Sequence, residues 1–198
     1  MKHLIAPIAL IALASPAAAQ TAANAQTQAQ ASAFITKLSN DAFGVLRNKS
    51  LTRDAARAQF RALLRQNFAI TEIGNRLIRT QRATITPAQL QAYQAALPDF
   101  IVNTYADRLY DFADARVQVV RTLPLGSRGD VNVVTRITRP SGNPIDATWS
   151  VRPAATGMQV TNLTVNGVNV ALTQEADFKA YIQRNGFDAL VAFMRKPR

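Results

Sequence analysis

The sequence predicts an α+β fold: a curled antiparallel sheet of about four strands, covered by N-terminal and C-terminal helices. Three observations predict it. Apolar residues recur at helical spacing to about residue 112, alternate with period two between 116 and about 170, then return to helical spacing. Turn-forming clusters separate the alternating runs closely enough for hairpins. No internal repeat or long linker divides the 198 residues, a length that suits one domain.

The chain opens with a basic Met1-Lys2-His3, an apolar run from Leu4 to Leu13 broken by Pro7, and a small-residue stretch ending in Ala17-Ala18-Ala19. This three-part layout predicts a secretory signal at 1–19, cleaved after Ala19. The apolar run is about half the roughly 20 residues a membrane helix needs. No Cys follows it to carry a lipoprotein anchor. The remaining residues, 20–198, form the single domain. Its first stretch, 20–30, is rich in Ala, Gln, Thr and Asn and is expected to be disordered or frayed. No later stretch is apolar enough to span a bilayer, so the product is expected to be soluble.

The first helix is expected from about Ala29 to Arg47, with Phe34, Leu38, Phe43 and Leu46 as its stripe. Thr52 caps a second helix carrying Ala56, Phe60, Leu63 and Leu64 on one face. The other face shows Arg53, Arg57, Arg61 and Arg65, read most simply as solvated. A short third helix starts near Thr71 and carries Ile73, Leu77 and Ile78. Thr86-Pro87 starts a fourth, with a capping hydroxyl and then proline at the first helical position. Leu90, Tyr93, Leu97, Phe100, Ile101, Tyr105 and Leu109 share its broad apolar face, and Pro98 should kink or divide it. Strands follow at Arg116–Leu123, at Val131-x-Val133-x-Thr135-x-Ile137, and at Ile145-x-Ala147-x-Trp149-x-Val151. A last strand region, Met158 to Val170, bends at Asn166-Gly167. The turns between them are Gly126-Ser127-Arg128-Gly129, Ser141-Gly142-Asn143-Pro144 and Ala154-Ala155-Thr156-Gly157. Thr173 is expected to cap a helix bearing Phe178, Tyr181 and Ile182, ended by Asn185-Gly186. Phe187 to Met194 is a final short helix.

Composition excludes much chemistry. There are no cysteines, and the single histidine is His3, inside the signal. A mature chain therefore has no disulfide, no thiol nucleophile, no Ser-His-Asp triad and no Cys or His metal site. Only two glutamates occur, Glu72 and Glu175. Losing Lys2 from 23 basic residues leaves 22 against 12 acidic, a charge of +10. That charge suits anionic headgroups or acidic docking surfaces. Secretion and the lack of an aromatic-basic reading motif argue against nucleic acid.

Four places resemble the MlaC family, also called the toluene-tolerance Ttg2 auxiliary proteins. Phe60-x-x-Leu63-Leu64-x-x-x-Phe68 resembles the family's early helix. Thr86-Pro87-x-Gln89, with Phe100 and Tyr105-Ala106, is similar to its central helix. Trp149-x-Val151 matches a strand tryptophan. Gly167-Val168-x-Val170, Phe178 and Gly186-x-Asp188-x-Leu190 resemble its C-terminal signature. The resemblance runs from about Ser32 to Arg195. Departures mark a divergent member: Ile78-Arg79 replaces a Leu-Gly pair, no aromatic stands near Arg82, Asn162 replaces an Asp, and Glu175 replaces an Arg.

The resemblance implies a periplasmic carrier, not an enzyme, with no cofactor and no metal. It implies a phospholipid held by its acyl chains in an apolar pocket between sheet and helices. The lipid would pass between an outer-membrane lipoprotein complex and an inner-membrane ABC transporter complex. The expected pocket residues are Leu90, Tyr93, Phe100, Ile101 and Tyr105 from helices, with Val131, Val133, Trp149 and Val151 from strands. From pattern alone the same residues form a solid core, because apolar faces ordinarily pack on each other. Two other functions stay open: a carrier for another lipid such as a hopanoid, and a pocket enzyme using Asp99, Asp107, Asp111, Asp114 or Asp146 as acid or base. For these carboxylates an ordinary surface role is the simpler reading.

Overall fold

A computed structural model of the chain describes residues 16–126, 129–155 and 157–196. Most of the predicted signal (1–15), Ser127 and Arg128 of one turn and Thr156 of another lie outside the described residues, as do the side chains of 16–23 and 107–108. In chain order come α1 (Pro16–Arg47), α2 (Arg53–Asn67), α3 (Ile70–Leu77), α4 (Pro87–Leu109) and a 3₁₀ turn (Tyr110–Phe112). Then follow β1 (Arg116–Leu125), β2 (Asp130–Thr138), β3 (Ile145–Ala154), β4 (Gly157–Val165), β5 (Val168–Asn169), α5 (Val170–Asn185) and α6 (Phe187–Met194). The strands pair in sequence order, each antiparallel to the next, in one open sheet. The fold is α+β.

Helix starts follow local chemistry. The Thr52 hydroxyl accepts from the Ala55 amide at the start of α2. At α4 the Thr86 hydroxyl accepts from the Gln89 amide (3.2 Å), while Gln89 Oε1 accepts from the Thr86 amide (2.9 Å). This reciprocal box satisfies two donors that a helix start otherwise leaves orphaned. Gln89 Nε2 also donates to Asp188 of α6 (2.9 Å), so two of the motifs quoted above meet. Asn166 and Gly167 both have positive φ (48° and 82°), which makes a two-residue turn matched to strand twist.

Four elements differ from the sequence expectations. The segment 20–30 lies inside α1, and Gln28 accepts a hydrogen bond from Thr122 of β1 (3.0 Å). The last strand region is two strands, because the Asn166-Gly167 turn folds a two-residue β5 back on β4. Asn169, not Thr173, caps α5: its side chain accepts from the Leu172 amide, and the helix starts one turn earlier. Helix α4 is not divided at Pro98, and Leu97, Pro98 and Phe100 are all buried.

The apolar interior falls into three clusters. One joins α3, α4, α5 and α6 around Tyr93, Leu97, Phe100, Phe178, Phe187 and Leu190. A second packs Ala31, Ile35 and Leu38 of α1 on Val131, Val133, Val151 and Val160 of the sheet. The third joins α1, α2 and α4 through Val45, Leu46, Ala56, Phe60, Val102 and Ala106.

Polar ties lock the elements between these clusters. Arg152 of β3 donates to Asp130 of β2 (2.9 Å) and to Glu72 of α3 (2.7 Å). The buried Tyr93 hydroxyl donates to the Gly74 carbonyl (3.0 Å), and burial pushes this phenol well above its ordinary range. Arg79, just past α3, donates to Glu175 of α5 (2.6 Å). Two of the departures from the family pattern thus form one ion pair. The Glu175 side chain is 11% exposed and that of Arg79 is 66% exposed. Removing the arginine leaves a nearly buried carboxylate without its cation. We expect Arg79→Ala to lower stability by about 1–3 kcal/mol, read as a urea midpoint. The double change Arg79→Ala with Glu175→Gln should recover much of that loss.

Candidate functional site

Where a single core would lie, the three clusters enclose a cavity of about 420 Å³. Ligand pockets span about 300–1,000 Å³, whereas voids in packed interiors rarely exceed a water molecule. The walls come from every layer. Leu38, Ala42 and Phe43 project from α1; Phe60, Leu63 and Leu64 from α2; Ile70, Ile73 and Leu77 from α3. Helix α4 gives Leu97, Phe100, Ile101, Val102, Tyr105 and Leu109. The floor is Val117, Ile137, Ile145, Ala147, Trp149, Leu163 and Val165 of the sheet.

No charged side chain lines the cavity among the described residues. Its few polar groups are mostly engaged. Ser39 donates to the Ile35 carbonyl (2.8 Å), Thr161 to the Ser150 carbonyl (3.3 Å), and Tyr105 meets Gln174 at 3.5 Å. Asn162 is the exception, with Oδ1 buried and without a partner among the described residues. The Trp149 indole donates to the Thr135 hydroxyl (3.0 Å), which itself donates to the Ala147 carbonyl (3.2 Å). Its one polar atom is therefore satisfied within the sheet, and its ring is left to the apolar wall.

The cavity wall reaches the surface at the end of α4. Leu109 lines it and is 37% exposed. The Tyr105–Gln174 contact brings the end of α4 to the start of α5, where Leu172 is exposed, and Val168 is exposed on the adjoining β5. Exposed apolar residues thus gather there.

Of the nine expected pocket residues, the structure places Phe100, Ile101, Tyr105 and Trp149 on the wall. The other five lie elsewhere. Leu90 and Tyr93 pack among α3, α5 and α6, because α4 lines the cavity only from Leu97 onward. Tyr93 meets the rings of Phe178 (6.2 Å) and Phe187 (5.9 Å). Val131, Val133 and Val151 do face inward, but α1 covers that half of the sheet. Trp149 stands at the border: it lines the cavity with Phe100 and Tyr105 but not with Tyr93, and it also packs against the α1 cluster. Sequence reasoning missed Ile137, Ile145 and Ala147. They share the inward face of the same hairpin as Trp149, with Ile137 opposite Ile145. Stepping the alternation from Trp149 toward the turn finds them. It also missed Phe60, Leu63 and Leu64, whose stripe was visible but whose neighbour was not.

The candidate acids lie off the wall. Asp99 pairs with Arg61 of α2, so that arginine row is partly engaged rather than wholly solvated. Asp111 and Asp114 are exposed, and the Asp107 side chain lies outside the described residues. Asp146 is held below its ordinary pKa by the hydrogen bond from Arg136 (2.9 Å), on the outer face of the sheet. Among the described residues no helix is long and apolar enough to cross a membrane.

An α+β scaffold wrapped round a neutral apolar cavity defines a class: proteins built to hold an apolar ligand out of water. The family model described as MlaC protein matches residues 36–196, and the chain belongs to that family. The fold is similar to that of a phospholipid-binding protein from Ralstonia solanacearum, solved in complex with a phospholipid. That match has a TM-score of 0.69 and 19% identity, and covers 82% of this chain and 93% of the other.

Two measurements test the cavity. Overpacking a solid core typically costs 1–3 kcal/mol. A true cavity accepts the added ring, so we expect Ala42→Phe to leave stability unchanged or raise it while reducing ligand uptake. A urea midpoint lowered by that full amount would mean a filled core. Trp149 is the sole tryptophan. We expect its emission to be quenched when brominated acyl chains are loaded; bound brominated lipid without quenching would place the chains elsewhere.

Proposed function

We propose that this protein is a periplasmic carrier that takes up a phospholipid by its acyl chains and moves it between membrane-bound transport complexes. The observation that carries this reading is the uncharged apolar cavity within a member of the MlaC family. The fold shared with a phospholipid-binding protein adds to it. A secretory signal cleaved after Ala19 would deliver the chain to the periplasm, where family proteins act.

The energetics explain why such a cavity is needed. Each methylene buried in a bilayer contributes about 0.8 kcal/mol, so two chains of some sixteen carbons represent roughly 25 kcal/mol. Passage through water against that figure is slow. A carrier must therefore offer surroundings nearly as apolar as the bilayer, making exchange close to neutral. Phe100, Ile101, Tyr105 and Trp149 would contact the chains together with the α2 and α3 residues opposite. The partners in this reading are an inner-membrane ABC transporter complex and an outer-membrane lipoprotein complex. An enzyme would need an acid or base at the bound ligand, and none of Asp99, Asp111, Asp114 or Asp146 lines the wall.

The test is native mass spectrometry of protein exported and purified without detergent. We expect a chain starting at Gln20 with the added mass of one diacyl phospholipid, released on solvent extraction. A bare chain mass that persists after incubation with liposomes would sink the proposal. An added mass without phosphorus would favour a hopanoid or other lipid.

A further inference from the structure

Phe112 of the 3₁₀ turn forms part of the cavity wall. The Arg139 guanidinium lies over that ring, its central carbon 5.0 Å from the centroid. Arg139 follows Ile137 by two positions, so it lies just past the last wall residue of β2, over a ring that itself lines the cavity. Two features fix it there. The aromatic face attracts the cation from one side. On the other side the turn makes room: a Cβ at Gly142 (φ +90°) would stand 2.9 Å from Arg139 Nη2.

This placement leaves the charge without a carboxylate. Arg139 is half-buried, makes no ion pair among the described residues, and its Nε is buried without a hydrogen-bond partner there. The neighbouring Arg136 is different, being held by Asp146 through two hydrogen bonds of 2.9 and 3.2 Å. A partly desolvated guanidinium with open donors is a receptor for an oxyanion, which its planar fork can bind in bidentate fashion. The neutral cavity behind it takes only apolar matter. An apolar chamber with an unpaired cation stacked on its wall matches an amphiphile whose hydrocarbon ends in a phosphodiester.

We propose that Arg139, seated on Phe112, receives the phosphodiester anion of the lipid whose chains fill the cavity. This inference rests on the lipid-carrier reading and adds to it a residue that selects phosphorylated lipids over neutral ones.

The test compares two ligands with identical acyl chains, phosphatidylglycerol and diacylglycerol. Each is offered at the same mole fraction in vesicles of sorbitan monostearate and cholesterol, which contain no phosphodiester, and protein-bound ligand is quantified after the vesicles are floated away. For Arg139→Gln we expect phosphatidylglycerol affinity to fall about tenfold or more, the loss of a charge-assisted bond. Diacylglycerol affinity should stay within about twofold. Arg139→Lys keeps the charge but loses the fork, and should fall between the two for phosphatidylglycerol alone. An unchanged phosphatidylglycerol affinity in Arg139→Gln would overturn the proposal. So would equal losses for both ligands in both variants, which would make Arg139 a prop for Phe112. Inorganic phosphate should compete weakly; displacement of phosphatidylglycerol at equal concentrations would mean a free-anion site instead. If the unaltered protein takes up neither ligand, the carrier reading itself fails and this inference falls with it. If it takes up diacylglycerol as tightly as phosphatidylglycerol, the carrier reading stands and this inference alone fails.

Discussion

The whole structure depends on holding apolar walls apart around a space that no side chain fills. Apolar walls that do not meet forgo the contacts that packing across the middle would supply. A chain that tolerates such a space needs its walls held apart by something other than packing across the middle. Here the apolar residues form three clusters around the space, each closed by its own neighbours. Directional bonds then join cluster to cluster.

Those bonds account for several residues that look unremarkable in sequence. The two glutamates are both struts: Glu72 ties α3 to β3, and Glu175 ties α5 to the end of α3. Gln89 closes the α4 cap and also reaches Asp188 of α6. The main-chain amide of Ala69 donates to the Val160 carbonyl (2.9 Å), sewing the link between α2 and α3 to the sheet. Arg79 and Glu175, two positions where the chain departs from the resemblance, meet across one gap, so neither charge is left unpaired.

Charge and hydrocarbon are sorted by position. The chain carries a strong positive excess, yet no charged group faces the cavity among the described residues. Arginines instead tie strand to strand, as Arg136 does, or helix to helix, as Arg61 does. A charge on the wall would be costly to desolvate and would add polarity where only hydrocarbon is tolerated. The same separation leaves the edge of the wall as the place where polar chemistry can meet a ligand.

By itself the sequence determined the class of fold, the order of elements, the inward face of each central strand and the MlaC resemblance. Period-two alternation in Ile145-x-Ala147-x-Trp149-x-Val151 and the capping chemistry of Thr86-Pro87-x-Gln89 are local signals, and local signals survive without coordinates. It did not fix 20–30 as helix, since an Ala- and Gln-rich stretch gains order only when β1 lies beside it. Tertiary structure alone decided which inward residues are core and which are wall. Val133 and Trp149 are cross-strand partners on the same face, yet α1 covers the first and the second reaches the cavity. Tyr93 and Tyr105 share one helical stripe, but α4 changes neighbours between them. Periodicity records which way a side chain points. It holds no record of what stands opposite, and the presence or absence of a partner there is what separates a packed core from a chamber.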